Sequence, residues 1–385
     1  MHVVGGASLP IFVWPDFLEA GAEEQARHAA DLPFAFYGVG VMPDGHRGYG
    51  MPIGGVMATK DGVIVPYAIG TDIGCGVCAA KTNIIADELN IAQLQAIVKD
   101  IQRSVPLRRR QEPIPLSCIN QAMPDTAIME EERSNAKLQL GTLGGGNHFI
   151  ELQRGVSDGM LWIMIHTGSR HLGHAVCTYY DTIAQTRNST QYSQVPASWQ
   201  LAFLSPGPIA DEYIQAMNYC TAYSRVNRQL IMEQVQSIII GIEPENVEQT
   251  IDVHHNYAAL ENHFGKNVWV HRKGAIRARV GDIGIVPGSQ GTSSFIVRGL
   301  GHPKSFNSCS HGAGRAFSRS KARKELSLDK ELKRLLDVGV VHSLTSERQL
   351  DEAPGAYKDI NEVMRQQSDL CEIVEELTPI AVVKG

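Results

Sequence analysis

The sequence predicts an α+β protein, a single large domain over residues 1–385 with central β-sheets flanked by helices. Three observations support this class. Short apolar runs typical of buried strands occur along the chain, together with longer segments in which apolar residues have helical spacing. Neither an internal repeat nor a Pro/Ser-rich linker divides the chain. Hydrophobic residues make up 43% of the sequence, which is enough to bury a substantial core.

Amphipathic spacing predicts helices at 15–28, 89–103 and 209–239. The third of these is long and follows two prolines, which favour the start of a helix. Near the C-terminal end, Asp359 and Glu362 form a D-x-x-E pattern. This pattern predicts a further helix that starts by reciprocal capping.

Strands are predicted at 63–68, 76–82, 161–165, 268–270, 283–286, 295–297 and 380–383. The first two lie on either side of a Gly-rich turn that carries Asp72 and Cys75. The strand at 161–165 runs directly into His166. Polar, ligand-capable residues are therefore expected at the ends of strands, where a rigid scaffold positions them.

Composition narrows the class of protein. The formal net charge is −6, so the chain is not a generally basic nucleic-acid coat, and its short Arg/Lys clusters favour a solvated surface when each is taken alone. The N-terminal residues lack the pattern of a signal peptide, and no apolar stretch reaches the roughly 18 residues that cross a bilayer. The seven cysteines are scattered, which suits a reducing compartment. We expect a cytoplasmic protein without a membrane partner.

Chemistry-bearing residues are concentrated in a few segments. Five of these are rich in glycine, and one is rich in histidine: MPDGHRGYG (42–50), TDIGCG (71–76), GTLGGGNHFIE (141–151), HTGSR (166–170), DVHHNYAA (252–259) and SCSHGAGR (308–315). Glycine permits tight turns and a close approach of the backbone to a ligand.

These segments predict a metal site built from Asp72, Cys75, His148, His166 and His255. Asp72 and Cys75 are three residues apart in one turn, so a carboxylate and a thiolate face the same ion. A thiolate with imidazoles and a carboxylate suits zinc, manganese, cobalt or iron, and ligand chemistry alone ranks zinc first. The spacing matches no zinc-finger or HExxH pattern, and an isolated histidine is more often a hydrogen-bonded structural residue.

Standard nucleotide motifs are absent. The chain has no GxxxxGK[ST] loop, and Pro43 occupies the third glycine position of the G-x-G that begins at Gly38, which excludes a dinucleotide-binding fingerprint. Residues 288–294 and 311–315 nonetheless offer clustered backbone N–H groups that suit a phosphate. The alternative is two tight turns without a ligand.

At these motifs the sequence closely resembles the RtcB family of RNA-splicing ligases. The resemblance runs along most of the chain, in fixed order, through MPDGHRGYGMPIGG, DIGCG, LGGGNHFIEL, HTGSR, HHNYA, HRKGA, PGSQGTSSFIVRGLG, SCSHGAGR, AYKDI and the terminal VVKG. It implies an RtcB-like fold and the joining of RNA 2′,3′-cyclic phosphate or 3′-phosphate ends to 5′-hydroxyl ends, with GTP and two Mn²⁺ ions.

The resemblance also implies roles for individual residues. His311 is the nucleophile that forms a histidine–GMP intermediate, from which the guanylyl group passes to the RNA 3′-phosphate. Cys75 bridges the two Mn²⁺ ions, with Asp72 and His148 on one ion and His166 and His255 on the other. The guanylate contacts are Asn147, Phe149, Glu151, Asn256, Ser289, Ser294, Ala313, Gly314, Tyr357 and Lys384. The residues implied to bind RNA phosphates are Arg170, Lys273 and Arg315.

Two alternatives remain open from the sequence. One is a paralogue specialised in repairing cleaved tRNA or ribosomal RNA, or in capping 3′-phosphate ends with a guanylyl group. The other is a non-catalytic RNA-binding protein, which would form no covalent GMP. An archease-like activator and a release-factor homologue are possible partners. The resemblance places Asp44 and His46, which match the family's first motif, at the margin of the site.

Overall fold

The structure is a computed structural model that describes residues 1–191, 193–239 and 246–385. Within these residues, no helix has the length and apolarity needed to cross a membrane. The α-helices, numbered α1 to α8 in chain order, are Ala20–Ala30, Ile91–Ser104, Ala127–Gln139, Arg170–Thr190, Pro208–Ile238, Arg319–Glu325, Leu328–Asp337 and Ile360–Gln366.

The strands are numbered β1 to β16 in chain order. They are His2–Val4, Ile11–Val13, Ala35–Tyr49, Met51–Thr59, Gly76–Ile85, Phe149–Gly155, Met160–Thr167, Val247–His254, Asn256–His263, Lys266–Lys273, Ala275–Arg277, Ile283–Val286, Ser294–Gly299, Ser308–Ser310, Val341–His342 and Cys371–Lys384. This mixture of helices and sheets confirms the predicted α+β class.

Six strands form the first sheet, in the order β1-β2-β3-β4-β10-β9. The pair β2–β3 is parallel and the other neighbours are antiparallel. In the β9–β10 hairpin, Asn256 lies opposite Lys273, so both residues stand at the end of the hairpin remote from its turn. Helix α1 packs its buried alanines against the apolar side chains of β2 and β3.

The second sheet has the order β12-β13-β16-β6-β7-β5-β8, and β15 pairs with β16 in parallel. The register of this sheet brings the ends of several neighbouring strands together at one end of the sheet. Phe149 lies opposite both Lys384 and His166, and Gly76 lies opposite Thr167 and His254. Segments separated by more than 230 residues therefore meet at this end of the sheet.

A two-stranded sheet joins β11 to β14, with Ala275 opposite Ser310. His311 is the first residue after β14, so this pairing places it beside the end of β10. Behind the sheets, helices α3, α4 and α5 share one apolar core, while α2 and the C-terminal half of α5 cover the second sheet.

Most of the predicted elements are confirmed. Helix α2 begins where Asn90 and Gln93 form a reciprocal capping box, and α5 begins at Pro208. The strands predicted between 76 and 383 all occur, most of them longer than expected. Asp359 caps α8 by accepting a hydrogen bond from the Asn361 N–H, but Glu362 bonds to Arg365 and Gln366, so the capping is not reciprocal.

Two predicted elements were wrong in part. The strand predicted at 63–68 is a single bridge between Ile64 and Leu204, followed by the 3-10 turn Pro66–Ala68. Pro66 has no N–H to donate to a strand ladder, and its fixed φ suits the first position of a turn. The first helix starts at Ala20, later than the predicted residue 15.

Candidate active site

Cys75 is at the centre of the predicted metal site. Its side chain is buried. Two groups of three donor atoms, each spanning no more than 4.8 Å, share this thiol: Cys75 with His166 and His255, and Cys75 with Asp72 and His148. All five predicted ligands therefore converge, in two sets that have one member in common.

Short distances define the cluster. The Cys75 Sγ lies 3.3 Å from His166 Nε2 and 3.6 Å from His148 Nε2. His148 Nε2 is also 3.2 Å from Asp72 Oδ2. The turn that carries the two donors is closed by a hydrogen bond of 3.0 Å from the Cys75 N–H to the Asp72 carbonyl. Gly74 in this turn has φ +74°, and a Cβ there would lie 2.8 Å from the Thr221 backbone, so a larger residue would displace α5.

The histidines of the cluster are oriented by contacts at their other ring nitrogens. His166 Nδ1 is 3.1 Å from the Asn147 carbonyl, which leaves Nε2 directed at Cys75. Arg170 Nη1 donates to His148 Nδ1 at 3.0 Å. Among the described residues, the buried Nδ1 of His255 has no hydrogen-bond partner. A buried ring nitrogen without a partner, next to a thiol and a second imidazole, fits a metal ion.

Burial also sets the protonation of the donors. It lowers the pKa of His148, His166 and His255, so their imidazoles are neutral. Burial raises the pKa of the Cys75 thiol. For Asp72, burial acts to raise the pKa, but its hydrogen bond with His148 and the charge of Arg170 hold it below its ordinary value.

Of two adjacent histidines, only His255 belongs to the cluster. His254 Nδ1 lies 3.0 Å from the Gly74 carbonyl and 3.1 Å from Arg228 Nη2. The His255 N–H donates to the Cys75 carbonyl at 2.9 Å, and its ring packs edge-on against that of His166, with 5.1 Å between centroids.

His311 stands next to the cluster of donor side chains around Cys75 and is held by a buried carboxylate. Its ring centroid is 4.7 Å from that of His255. Asp44, on β3 and fully buried, accepts hydrogen bonds from His311 through a single oxygen, Oδ2: 2.6 Å from Nδ1 and 3.1 Å from the backbone N–H. Burial acts to raise the Asp44 pKa, but its interaction with His311, together with the charge of Lys358, holds it below its ordinary value. The carboxylate is therefore ionised and leaves Nε2 of His311 unoccupied by this contact.

Both centres open into one cavity of about 310 Å³. The predicted guanylate contacts that line it are Asn147, Phe149, Glu151, Asn256, Ser289, Ala313, Gly314, Tyr357 and Lys384. Ser294 does not line the cavity. Its hydroxyl lies behind the wall, where it accepts hydrogen bonds from Gln153 Nε2 at 3.0 Å and from the Gly288 N–H at 3.2 Å.

The cavity is lined by an acidic and a basic side chain, Glu151 and Lys384. Burial raises the pKa of Glu151 to about 7, and burial lowers the pKa of Lys384. The Lys384 Nζ lies over the rings of Phe149 at 5.4 Å and Tyr357 at 5.8 Å. An acceptor and a donor are thus available for the polar edge of a base, beside aromatic faces.

The three residues expected to bind RNA phosphates have partners within the protein. Lys273 Nζ donates to the carbonyls of Tyr49 and Tyr67, and burial lowers its pKa to about 8. Arg315 donates to the Glu352 carboxylate at 3.1 Å, and Arg170 is bonded to His148. Lys273 and Arg315 line the cavity, whereas Arg170 does not.

Some residues of the site were missed or undervalued in the sequence. Asp44, placed there at the margin, contacts His311 directly, and a Cβ on Gly314 would lie 2.3 Å from the Asp44 carbonyl. Asp44 and His311 both lie in glycine-rich motifs, MPDGHRGYG (42–50) and SCSHGAGR (308–315), and this shared feature was the signal in the sequence for their contact. Glu352 belongs to no motif, yet it accepts hydrogen bonds from Tyr357 and Arg315 and lies 3.6 Å from the Lys384 Nζ.

Comparison with known proteins shows that nearly the whole chain is similar to one protein family. The RtcB family model, described as tRNA-splicing ligase RtcB, matches residues 25–123 and 111–385. RNA-splicing ligase RtcB of Escherichia coli strain K12 is 38% identical over 403 residues, which cover 98% of this chain and 97% of that protein. The tRNA-splicing ligase RtcB of Thermococcus kodakarensis is 31% identical, with 94% and 90% covered. The RNA-splicing ligase RtcB of Mycobacterium tuberculosis is 31% identical, with 94% and 100% covered. The chain belongs to the RtcB family of RNA-splicing ligases.

Proposed function

We propose that this chain joins RNA 2′,3′-cyclic phosphate or 3′-phosphate ends to 5′-hydroxyl ends, using GTP and a histidine–GMP intermediate on His311. The observation that carries the proposal is the position of His311. Its Nδ1 is hydrogen-bonded to Asp44 at 2.6 Å, and its ring centroid is 4.7 Å from that of His255, a proposed metal ligand. The ring lines the same cavity as the proposed guanylate contacts.

The first step is nucleophilic attack by His311 on GTP. A bond forms between Nε2 and the α-phosphorus, the bond from that phosphorus to the bridging oxygen breaks, and pyrophosphate leaves with the bonding electrons. Asp44 holds the proton on Nδ1, which keeps the Nε2 lone pair free, and its charge stabilises the positive charge that develops on the ring.

Two Mn²⁺ ions are the proposed metals. One would be held by Asp72, Cys75 and His148, and the other by Cys75, His166 and His255. When bound, such a pair neutralises phosphate charge and favours in-line displacement. The donor set fits two cations that share a thiolate, since both three-residue groups include Cys75.

Guanine is the proposed base because the cavity offers Glu151 and Lys384 together. An ionised Glu151 accepts from the N–H groups on one edge of guanine, and Lys384 donates to an acceptor on another edge. Adenine lacks the same arrangement of donors. The rings of Phe149 and Tyr357 beside Lys384 offer apolar faces to the base.

In the later steps the guanylyl group passes from His311 to the RNA 3′-phosphate. The 5′-hydroxyl then attacks that phosphorus, forms the phosphodiester and expels GMP. A cyclic phosphate is first opened by water. We propose that Arg170, Lys273 and Arg315 contact the RNA phosphates. For Lys273 and Arg315 this requires exchange of a hydrogen bond within the protein for one to the RNA.

The 385 residues are proposed to act as one ligase domain. This is supported by the cavity lining, which draws on residues from His46 to Lys384.

The proposal is tested by incubating the protein with GTP labelled at the α-phosphate, Mn²⁺ and no RNA. We expect a covalent label that is stable to alkali, labile to acid and absent from His311→Ala. Label on folded His311→Ala would show that another residue is the nucleophile. A wild-type protein that binds RNA and never takes up label would favour the non-catalytic alternative. Adding RNA with a 3′-phosphate and a separate 5′-hydroxyl strand then distinguishes sealing from 3′-end capping.

A further inference from the structure

Arg228, on the long helix α5, is a fully buried guanidinium. Its Nε and Nη2 donate to the two oxygens of Asp252 at 2.8 and 2.7 Å. This two-point pairing compensates the charge, which would otherwise be costly to bury. The ion pair uses only part of the guanidinium, whose remaining N–H groups point at the loops of the metal site.

Those contacts reach three segments, each next to a proposed ligand. Nη1 donates to the carbonyl of Gly74 at 3.3 Å and to the carbonyl of Thr167 at 3.0 Å. Nη2 lies 3.1 Å from His254 Nδ1. Gly74 precedes Cys75, Thr167 follows His166, and His254 precedes His255. One planar group therefore fixes the relative positions of the segments that carry the Cys75, His166 and His255 donor set.

Other polar residues of the same helix support this arrangement. The Ser224 hydroxyl donates to the Gly74 carbonyl at 2.6 Å and accepts from Arg228 Nη1 at 2.7 Å. Asn227 accepts from the Gly141 N–H at 2.7 Å and donates to the Gly168 carbonyl at 3.3 Å. The contacts of α5 to the site are thus largely with backbone groups, which set loop position without occupying a ligand site.

The close approach of Arg228 also constrains the loop it holds. A Cβ on Gly76 would lie 3.0 Å from Nη1 and 2.2 Å from the Val253 carbonyl. The residue after Cys75 is therefore a glycine because the guanidinium and β8 both pass directly over it. A shorter cation such as lysine cannot reach the two carbonyls, the imidazole and both carboxylate oxygens at once.

We infer that Arg228 is a positioning residue of the metal site, which holds Cys75, His166 and His255 at the spacing needed to bind divalent cations. The inference rests on the proposed metal site, and it assigns to α5 a role beyond covering the sheet. Loss of a group that orients metal ligands generally weakens metal affinity about 10- to 100-fold. We expect a loss in that range for Arg228→Lys.

The test compares Mn²⁺ binding by the wild type, Arg228→Lys and Arg225→Ala, by equilibrium dialysis and by the electron paramagnetic resonance of free Mn²⁺. Arg225 is the matched control, because it lies on the same helix, is 62% exposed and approaches the same Asp252 at 3.7 Å. Thermal unfolding in a chelator reports the stability of each variant without metal. We expect weaker Mn²⁺ binding in Arg228→Lys and unchanged binding in Arg225→Ala.

Unchanged Mn²⁺ affinity in folded Arg228→Lys would overturn the inference, whatever its effect on stability. If that variant does not fold, Ser224→Ala decides, since it removes one contact to Gly74 and one to Arg228. Weakened Mn²⁺ binding by Ser224→Ala supports the inference, and wild-type affinity overturns it. A wild-type protein that binds no Mn²⁺ would instead contradict the proposed metal site itself.

Discussion

The Oδ2 atom of Asp44 lies 2.6 Å from Nδ1 of His311 and 3.1 Å from the backbone N–H of the same residue. The two residues are 267 positions apart in the chain. A single carboxylate oxygen therefore sets both the ring orientation and the backbone position of the proposed nucleophile. Lys358 holds the segment around Asp44 by donating to the carbonyls of Pro43 and Gly45 at 3.1 and 2.6 Å.

Replacing Asp44 with Asn should slow the guanylylation of His311 by about 10²- to 10⁴-fold. The amide can donate to Nδ1, which favours the tautomer with its proton on Nε2 and removes the lone pair from the attacking atom. The rate of label transfer from α-labelled GTP measures this. Binding of Mn²⁺ should be unchanged, because Asp44 belongs to neither donor group. Guanylylation at the wild-type rate would exclude a role for Asp44 in orienting the nucleophile.

Replacing Cys75 with Ala should remove the high-affinity binding of both metal ions, since the thiol is common to the two donor groups. His148→Ala is the matched comparison, because His148 belongs to one group only and should weaken one ion preferentially. Metal content after dialysis gives the stoichiometry for each variant. A Cys75→Ala protein that keeps two tightly bound ions would contradict the bridging role.

The affinity for GTP should fall as the pH is lowered through about 7. Burial raises the pKa of Glu151 to that value, so the carboxylate that accepts from guanine is ionised above it and protonated below it. In the protein without nucleotide, the raised pKa of Glu151 affects folding in the opposite direction. It stabilises the folded state at low pH, and this stabilisation is lost as the pH rises through about 7. Calorimetric titration with GTP between pH 6 and 8 measures the first effect.

Glu151→Gln should bind GTP more weakly at pH 8 and lose this dependence on pH. A pH profile that is the same in Glu151→Gln and in the wild type would assign the titration to another group.

Replacing Glu261 with Leu should destabilise the fold by about 3–5 kcal/mol, because it leaves the buried Arg272 without its carboxylate. Arg272 Nη1 lies 2.6 Å from Glu261 Oε1, and both side chains are almost fully buried. The control is Glu372→Leu, which breaks a half-exposed pair with Arg298 and should cost less than about 1 kcal/mol. Urea denaturation measures the loss in the free energy of unfolding for both variants. Equal losses would mean that burial of the Glu261–Arg272 pair is unimportant.

The same carboxylate should make stability depend on pH. Burial acts to raise the pKa of Glu261, but the hydrogen bond from His263 and the charge of Arg272 hold it well below its ordinary value. Because the folded pKa is the lower one, the stabilisation is fully present above the unfolded pKa of about 4.3 and is lost as the pH falls further. The Glu261→Leu variant should show less of this acid dependence than the wild type.

The sequence by itself determined the α+β class, the family and the five donor residues that converge around Cys75. Strands and long helices were predictable because apolar periodicity is a local signal, as in α2, where Leu94, Ile97, Val98 and Ile101 form the buried face. The convergence of these five side chains was predictable because each lies in a motif with an unusual combination of residue types.

Only the tertiary structure decided how these residues work together. The contact of Asp44 with His311 depends on the placement of β14 beside β3, and the reach of Arg228 depends on where α5 crosses the second sheet. Glu352 supports Tyr357 and Arg315 without belonging to any motif. Such hydrogen bonds join groups far apart in the chain, and no local pattern encodes them. The physical reason is that sequence periodicity reports which face of an element is buried, whereas the partner of a buried polar group is set by packing between elements.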